Sequence, residues 1–600
     1  MPTGALPHEI YTSRLADRTR NLAILQHRRD QTGILRLIVF LAIAAAIWSA
    51  IQGTVSGWMI PLPVVAFIAL VSWQSRIERA CECARRAIRF YEQGLARLEN
   101  RWHTDPRAGA GGERFCDPHH PYSGDLDLFG HASLFQLVST ARTAGGESRL
   151  AAWLQAPASP DQLRERHTAI DELKPLLDLR EQLAILGDDF RSAVSPEHLA
   201  QWGGRPASPF SAALRITALI LSLCALAALA WWFGTDLVQP TAQVALIATG
   251  VLEALLAVPV RTKILSIVSS ANEPAGDLGL LSQILATLET RQFHSTRLAA
   301  MRQAITIDGR PASGRIARLR HLAELLDSRD SPIVRAIGPL ILWTTQLGMA
   351  IEAWRAENGP HVAVWLDAVS EIEALSSLAN YAWEHPADVF PRFAETGPRF
   401  EGDDLGHPLL PEAQCVRNQV NLTPPLRLLI VSGSNMSGKS TLLRTIGINA
   451  VLAFAGAPVR ASSLTLSPLS IGASIRTTDS LEEGHSRFMA EILRLKQVLE
   501  LPAPALFLLD ELLGGTNSHD HALGSEGLIR ALLGRGAMGL VTTHDLSLAR
   551  VADELAPAAA NVHFEDRLEN GRLVFDYTMR PGVVTRSNAL DLMRAVGLDV

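Results

Sequence analysis

Four stretches of the chain stay apolar for longer than a core helix requires, and they fall into two pairs. Residues 35–51 are apolar but for Arg36 near the start, and residues 58–73 follow after an uncharged link. The second pair, residues 216–233 and 241–258, is joined by residues 234–240. At a rise of about 1.5 Å per residue, each stretch can cross or nearly cross a hydrocarbon core of about 30 Å. Trp48, Trp58, Trp73, Trp231 and Trp232 lie near the ends, where indole rings favour the membrane interface. The pattern predicts four transmembrane helices in two hairpins, residues 34–74 and 213–260. Arginines crowd the outer flanks (Arg28, Arg29, Arg76, Arg79, Arg215, Arg261), while neither link carries Lys or Arg. By the positive-inside rule, both termini and every sizeable segment lie on the cytoplasmic side of a bacterial-type inner membrane. The first run begins too late for a secretory leader and shows no small-residue cleavage site.

A further apolar run, residues 333–351, contains Arg335, Pro339, Thr344, Thr345 and Gln346 and is read as a buried helix. Glu253 lies inside the fourth predicted span. Intramembrane carboxylates are often functional, but a partner Ser or Thr would account for it equally well. Between and after the hairpins, residues 75–212 and 261–400 read as an all-α core or lever, and residues 1–33 as a basic cytoplasmic helix. The apolar strand at residues 428–431 and the helix opening at Thr441 predict an α/β domain, assigned to residues 401–600.

That domain carries the chemistry. Gly433, Ser434, Asn435, Met436, Ser437, Gly438, Lys439 and Ser440 fit the phosphate-loop pattern GxxxxGK[ST], between an apolar strand and a helix opening at Thr441. Glycines let the backbone wrap phosphates, and amides at the helix start point at negative charge. Lys439 would reach the β- and γ-phosphates, and the Ser440 hydroxyl would ligate magnesium. A second apolar strand ends in Asp510-Glu511, which suits a magnesium ligand followed by a base that polarises the attacking water. His544 ends a third strand, where ligands gather in an open α/β sheet and where it could sense the γ-phosphate. The predicted cofactors are ATP and Mg2+, and the predicted activity is ATP hydrolysis.

A net charge of −6 gives no overall basic signature, so nucleic-acid binding would rest on local patches. Arg291, Arg297, Arg302, Arg315, Arg318 and Arg320 form one candidate, though a solvated helix face explains the same charges. The 5 cysteines lack paired spacing, which points to a reducing compartment.

The motif order resembles the ATPase domain of the MutS family of DNA mismatch-repair proteins. SGSNMSGKSTLLR is similar to that family's phosphate loop, DSLEEGHSRFMAEI to its D-x-x-x-x-G-x-S-x-F-x-x-E signature, LLDELLGGTNSHD to its acidic-pair segment and TTHD to its ATH. DLDLFG at residues 125–130 and GHPLL at 406–410 resemble parts of its helical core and junction. The resemblance implies an ABC-type P-loop fold and ATP held between two chains. Ser486 would reach in trans to the partner's γ-phosphate, and hydrolysis would drive dimer clamping on DNA.

The departures bear on function. No mismatch-reading or connector domain is recognisable, and Phe90-Tyr91-Glu92 imitates the family's mismatch probe only within a helical run near the membrane. The aromatic that stacks on adenine in relatives falls near Cys415 or Val416, and Gly514 and His521 replace an Arg and a Gly. The expectation is a membrane-anchored, homodimeric ATPase acting on mismatched, branched or recombining DNA. The alternative is a tethered ATPase that remodels a protein partner without touching DNA.

Overall fold

A computed structural model describes residues 6–53, 61–105, 109–191, 196–235, 239–328, 331–395, 397–434, 436–476, 487–513, 518–545, 547–569 and 572–584. The chain divides into two compact units. One joins Met1–Thr140, Ser148–Glu181 and Leu375–Val600, and the other Ala141–Glu147 and Gln182–Ala374.

The main sheet of the first unit has 6 strands, in the order Arg580–Pro581, Ala559–His563, Leu428–Ser432, Met538–Thr543, Ala505–Asp510 and Ser470–Ser474. Every pairing is parallel except the one between Ala559–His563 and Arg580–Pro581. Inner strands covered on both faces must be apolar throughout, which is why they read as unbroken hydrophobic runs. Leu428, Ile430, Phe507, Leu509 and Val541 are fully buried with Leu495, Ile529 and Leu532 from the helices Arg487–Leu499 and Ser518–Gly534. The helix that follows the phosphate loop, Lys439–Ala455, is buried along nearly its whole length. Residues 125–130 dock on this domain: the Asp125 carboxylate accepts the amides of Ile475 (2.7 Å) and Arg476 (2.8 Å) just beyond the edge strand.

The first apolar runs do not stop where the hydropathy falls. Pro7–Ile51 is one helix of 45 residues, continuous through the predicted boundary near residue 33, and Pro61–Leu98 is one helix of 38. Polar and apolar stretches alike satisfy their backbone within a helix, so solubility changes along it without a break. At the polar ends, Tyr11 is buried edge-on against Phe90 and Tyr91. Its hydroxyl meets Asn380 (3.3 Å) and Glu384 (3.2 Å), and Arg97 closes a two-pronged pair on Glu384 at 2.7 Å. Phe90 and Tyr91 are therefore packing residues, not a probe.

In the second unit, Ala212–Gly234 pairs with Pro240–Glu289, a single helix of 50 residues that runs through Pro259 and Pro274. The predicted fourth span and the start of the helical segment expected over 261–400 are thus one element. The run 333–351 is not one buried helix. It breaks into Pro332–Ile337, a 3-10 turn Gly338–Ile341 and Trp343–Asn358, with Leu342 at φ +46°. Pro339 lacks the N–H that a continuous helix needs there, and Ile337 remains exposed.

Among the described residues, 3 helices carry stretches long and apolar enough to cross a membrane: Pro7–Ile51, Ala212–Gly234 and Pro240–Ala271. Leu37, Phe40, Leu41, Ile220, Leu223, Val251 and Leu255 stand exposed on them. The other predicted span begins in residues outside those described; its described part starts the helix Pro61–Leu98 and exposes Leu62, Val65 and Ile68.

Candidate functional site

The parallel strands Leu428–Ser432, Ala505–Asp510 and Met538–Thr543 end on one edge of the sheet, and the predicted site residues gather there. Gly433 (φ +153°) leads out of the first strand, and Gly438 (φ +104°) caps the helix Lys439–Ala455 in a left-handed conformation that favours glycine. The first turn of that helix leaves the amides of Lys439, Ser440 and Thr441 without intrahelical acceptors. Ser437 Oγ ties the loop by donating to the Ser434 carbonyl at 2.7 Å.

Lys439 is buried, and its Nζ donates to the carbonyls of Gly433 and Ser434, both at 2.9 Å. Burial lowers its pKa, while the Glu511 and Asp510 carboxylates oppose that shift. Those two acids reach the site from the end of their strand, Glu511 with φ +46°. Register places Thr542 directly opposite Asp510. The buried Thr542 hydroxyl donates to Asp510 Oδ1 and accepts from the Glu511 amide at 3.2 Å, so one side chain orients both acids. His544 Nδ1 stands 3.7 Å from Glu511 Oε1 and is well exposed. Buried Glu491 Oε1 accepts the Leu513 amide at 2.5 Å, bracing the chain just past the acids.

Met436, Gly438, Lys439, Ser440, Thr441, Asp510 and Glu511 line one cavity of about 970 Å³. Its other walls include Leu405, His407, Val416, Phe564 and Tyr577. Burial, with Arg444 and Arg460 adding to it, pushes the His407 imidazole down to about 4, so it is neutral at physiological pH. Gly433, Ser434 and Ser437 support the loop from behind, and His544 stands beside Glu511 without lining the cavity. Asn435 and Ser486 lie outside the described residues.

Sequence reasoning missed Thr542 and Tyr577. Asn418 holds the Tyr577 segment by donating to the Tyr577 carbonyl (3.0 Å) and accepting from the Met579 amide (2.7 Å). The tyrosine ring then lies 3.0 Å from where a Cβ on Gly438 would sit. Close backbone approach at Gly438 was legible in the motif; the ring approaching it was not. Val416 does line the cavity, as expected for the base-contact position, but Cys415 does not.

The donor set fits a magnesium nucleotide. A buried ammonium and unpaired helix-start amides face two carboxylates and a hydroxyl across one cavity, and Ser434 Oγ is buried without a hydrogen-bond partner among the described residues. An open, mostly parallel sheet with this loop at its carboxyl edge is the architecture of the phosphate-loop α/β class. Residues 429–599 match the family model of MutS domain V, so this part of the chain is similar to that domain. It is 36% identical over 211 residues to the endonuclease MutS2 of Thermus thermophilus, covering 34% of this chain and 27% of that protein. The DNA mismatch repair protein MutS 2 of Halobacterium salinarum is 29% identical over 284 residues, 46% of this chain and 32% of its own. The DNA mismatch repair protein MutS of Shouchella clausii is 36% identical over 187 residues, 30% and 21% of the two chains. The chain thus spans less than a third of the length of each of these relatives.

Proposed function

We propose that this chain is a membrane-anchored ATPase of MutS type, which binds ATP with magnesium in the 970 Å³ cavity and couples hydrolysis to clamping of a homodimer on DNA. The observation that carries the reading is the convergence of Lys439, Ser440, Asp510 and Glu511 on that cavity. Lys439 and the helix-start amides would hold the phosphates, Ser440 and Asp510 the magnesium, and Tyr577 with Val416 would flank the base. Magnesium when bound supplies charge neutralisation between phosphate oxygens. Glu511 would orient the attacking water and take its proton, and His544, 3.7 Å from Glu511, would sense the γ-phosphate. Ser486 of a second copy would complete the site.

Two membrane hairpins, four spans in all, would anchor the chain, with the ATPase domain in the cytoplasm. Their apolar exposure supports this reading, since a soluble protein rarely shows contiguous apolar patches of such extent. DNA as the partner is supported by the names of the relatives, mismatched, branched or recombining duplexes being the candidates. The second reading, a protein partner without DNA, draws on one observation. Arg297 pairs with Glu371, Arg315 with Glu357 and Arg320 with Glu324, which leaves the basic patch smaller than its sequence suggests.

The test uses the detergent-solubilised full chain. ATP retention should disappear in Lys439→Ala, and duplex or branched DNA should be retained with an affinity that falls steeply with salt. Intact ATP turnover with no DNA retention at low salt, with or without nucleotide, would replace the DNA reading by the protein-partner reading.

A further inference from the structure

Glu253 has no Ser or Thr partner among the described residues. It is 4% exposed inside the apolar stretch of Pro240–Glu289, and its Oε1 has no hydrogen-bond partner among the described residues. A buried carboxyl in that position costs several kcal/mol in order of magnitude unless something meets it. It opens on a cavity of about 730 Å³, whose walls include Ala257, Leu340 and Trp343 and which Arg261 and Arg335 also line. That volume lies within the range of small-molecule sites, about 300–1,000 Å³.

The cavity has a defined depth. Ser222 and Glu253 stand equally far from the link between their helices, about 20 Å of helix rise. Gln346 reaches Ser222 Oγ at 2.8 Å, so the broken segment around Pro339 enters the hairpin at that level. Arg261 lies about 12 Å of rise beyond Glu253, at the end of the apolar stretch. Arg261 therefore marks the interfacial end of this wall, Glu253 lies deeper, and Gly250, about one helical turn beyond Glu253, lines the cavity deeper still. Packing between helices explains apolar walls, but it does not explain two guanidinium groups and an unmet carboxyl on one cavity.

We propose that this cavity binds a glycerophospholipid of the cytoplasmic leaflet. The forked guanidinium groups of Arg261 and Arg335 hold its phosphate, and the acyl chains leave beyond Glu253, at the Gly250 end of the cavity. The Glu253 carboxyl meets the polar glycerol region. It donates to an ester carbonyl when protonated and accepts from a hydroxyl when ionised. The inference rests on the membrane reading of the hairpin.

The full chain is reconstituted in nanodiscs of mixed phosphatidylglycerol and phosphatidylcholine, extracted in mild detergent, and its retained phospholipid measured by native mass spectrometry. Phosphatidylglycerol should remain bound to the parent and to Arg36→Gln. Retention should fall at least fivefold in the double variant Arg261→Gln/Arg335→Gln and measurably in Glu253→Leu, with helical content unchanged by circular dichroism. Equal retention by the parent and the double variant overturns the proposal. Displacement by water-soluble glycerol phosphate as readily as by lipid would assign the cavity to a free phosphate ester and overturn the lipid. Recovery of the parent chain in solution without detergent would instead defeat the membrane reading itself.

Discussion

Thr542→Val is the sharpest probe of the nucleotide site, because it keeps shape and removes one hydroxyl. That hydroxyl donates to Asp510 Oδ1 and accepts from the Glu511 amide at 3.2 Å, and Thr542 is completely buried. Valine fills the same volume, so no cavity opens and the sheet should fold. A hydrogen bond to a charged group contributes about 1.5–3 kcal/mol, and a neutral one about 1 kcal/mol. Asp510 is only partly buried and can regain water, which favours the lower end of that range. A loss of about 2 kcal/mol in positioning the two acids corresponds to about a thirtyfold fall in kcat. Steady-state hydrolysis should be measured across a magnesium series, and binding of a fluorescent ATP analogue in the presence of EDTA. Turnover should fall about thirtyfold and its magnesium requirement should rise, while metal-free nucleotide binding stays near that of the parent. Turnover within threefold of the parent at every magnesium concentration would refute the idea that Thr542 sets the acids.

Glu511→Ala should keep ATP binding and stop turnover; hydrolysis equal to the parent in a single-turnover assay would remove Glu511 as the base. Tyr577→Ala should weaken ATP by about tenfold, in line with about 1–3 kcal/mol for stacking on a base, yet leave inorganic triphosphate binding unchanged. Equal losses for both ligands would show that the ring supports the loop rather than the base. Glu373 is buried and accepts from Thr143, and burial pushes its carboxyl up to about 7 from an ordinary 4.5. The native state then holds a proton that the unfolded chain releases. The contribution of Glu373 to stability is greatest below pH 4.5 and falls by about 3 kcal/mol as pH rises to about 7. Glu373→Gln should flatten that decline in thermal unfolding between pH 5 and pH 8, and parallel curves for parent and variant would contradict it.

What the sequence determined by itself is what depends on neighbours along the chain. The phosphate loop needs particular residues at fixed spacing between a strand and a helix, so positions 433–441 were readable as a unit. Length and apolarity marked stretches long enough to cross a membrane, which 3 helices carry among the described residues, because such length is a demand on consecutive residues. Asp510-Glu511 and His544 were readable because strand ends in a parallel sheet converge on one edge.

Tertiary structure decided whatever depends on residues distant in sequence. Thr542 became a positioning residue through strand register, and a shift of one residue would have turned its hydroxyl to the other face. Tyr577 reached Gly438 because Asn418 fixes its backbone, a link that no local pattern records. The arginines of the basic patch looked equivalent until folding brought Glu371 to Arg297 and Glu357 to Arg315. Glu253 could have been an ordinary satisfied polar group, and only the surrounding helices showed that none of the described residues meets its Oε1. Hydrogen bonds and ion pairs are short-ranged and directional, so their partners are chosen by the folded chain rather than by the spacing of residues along it.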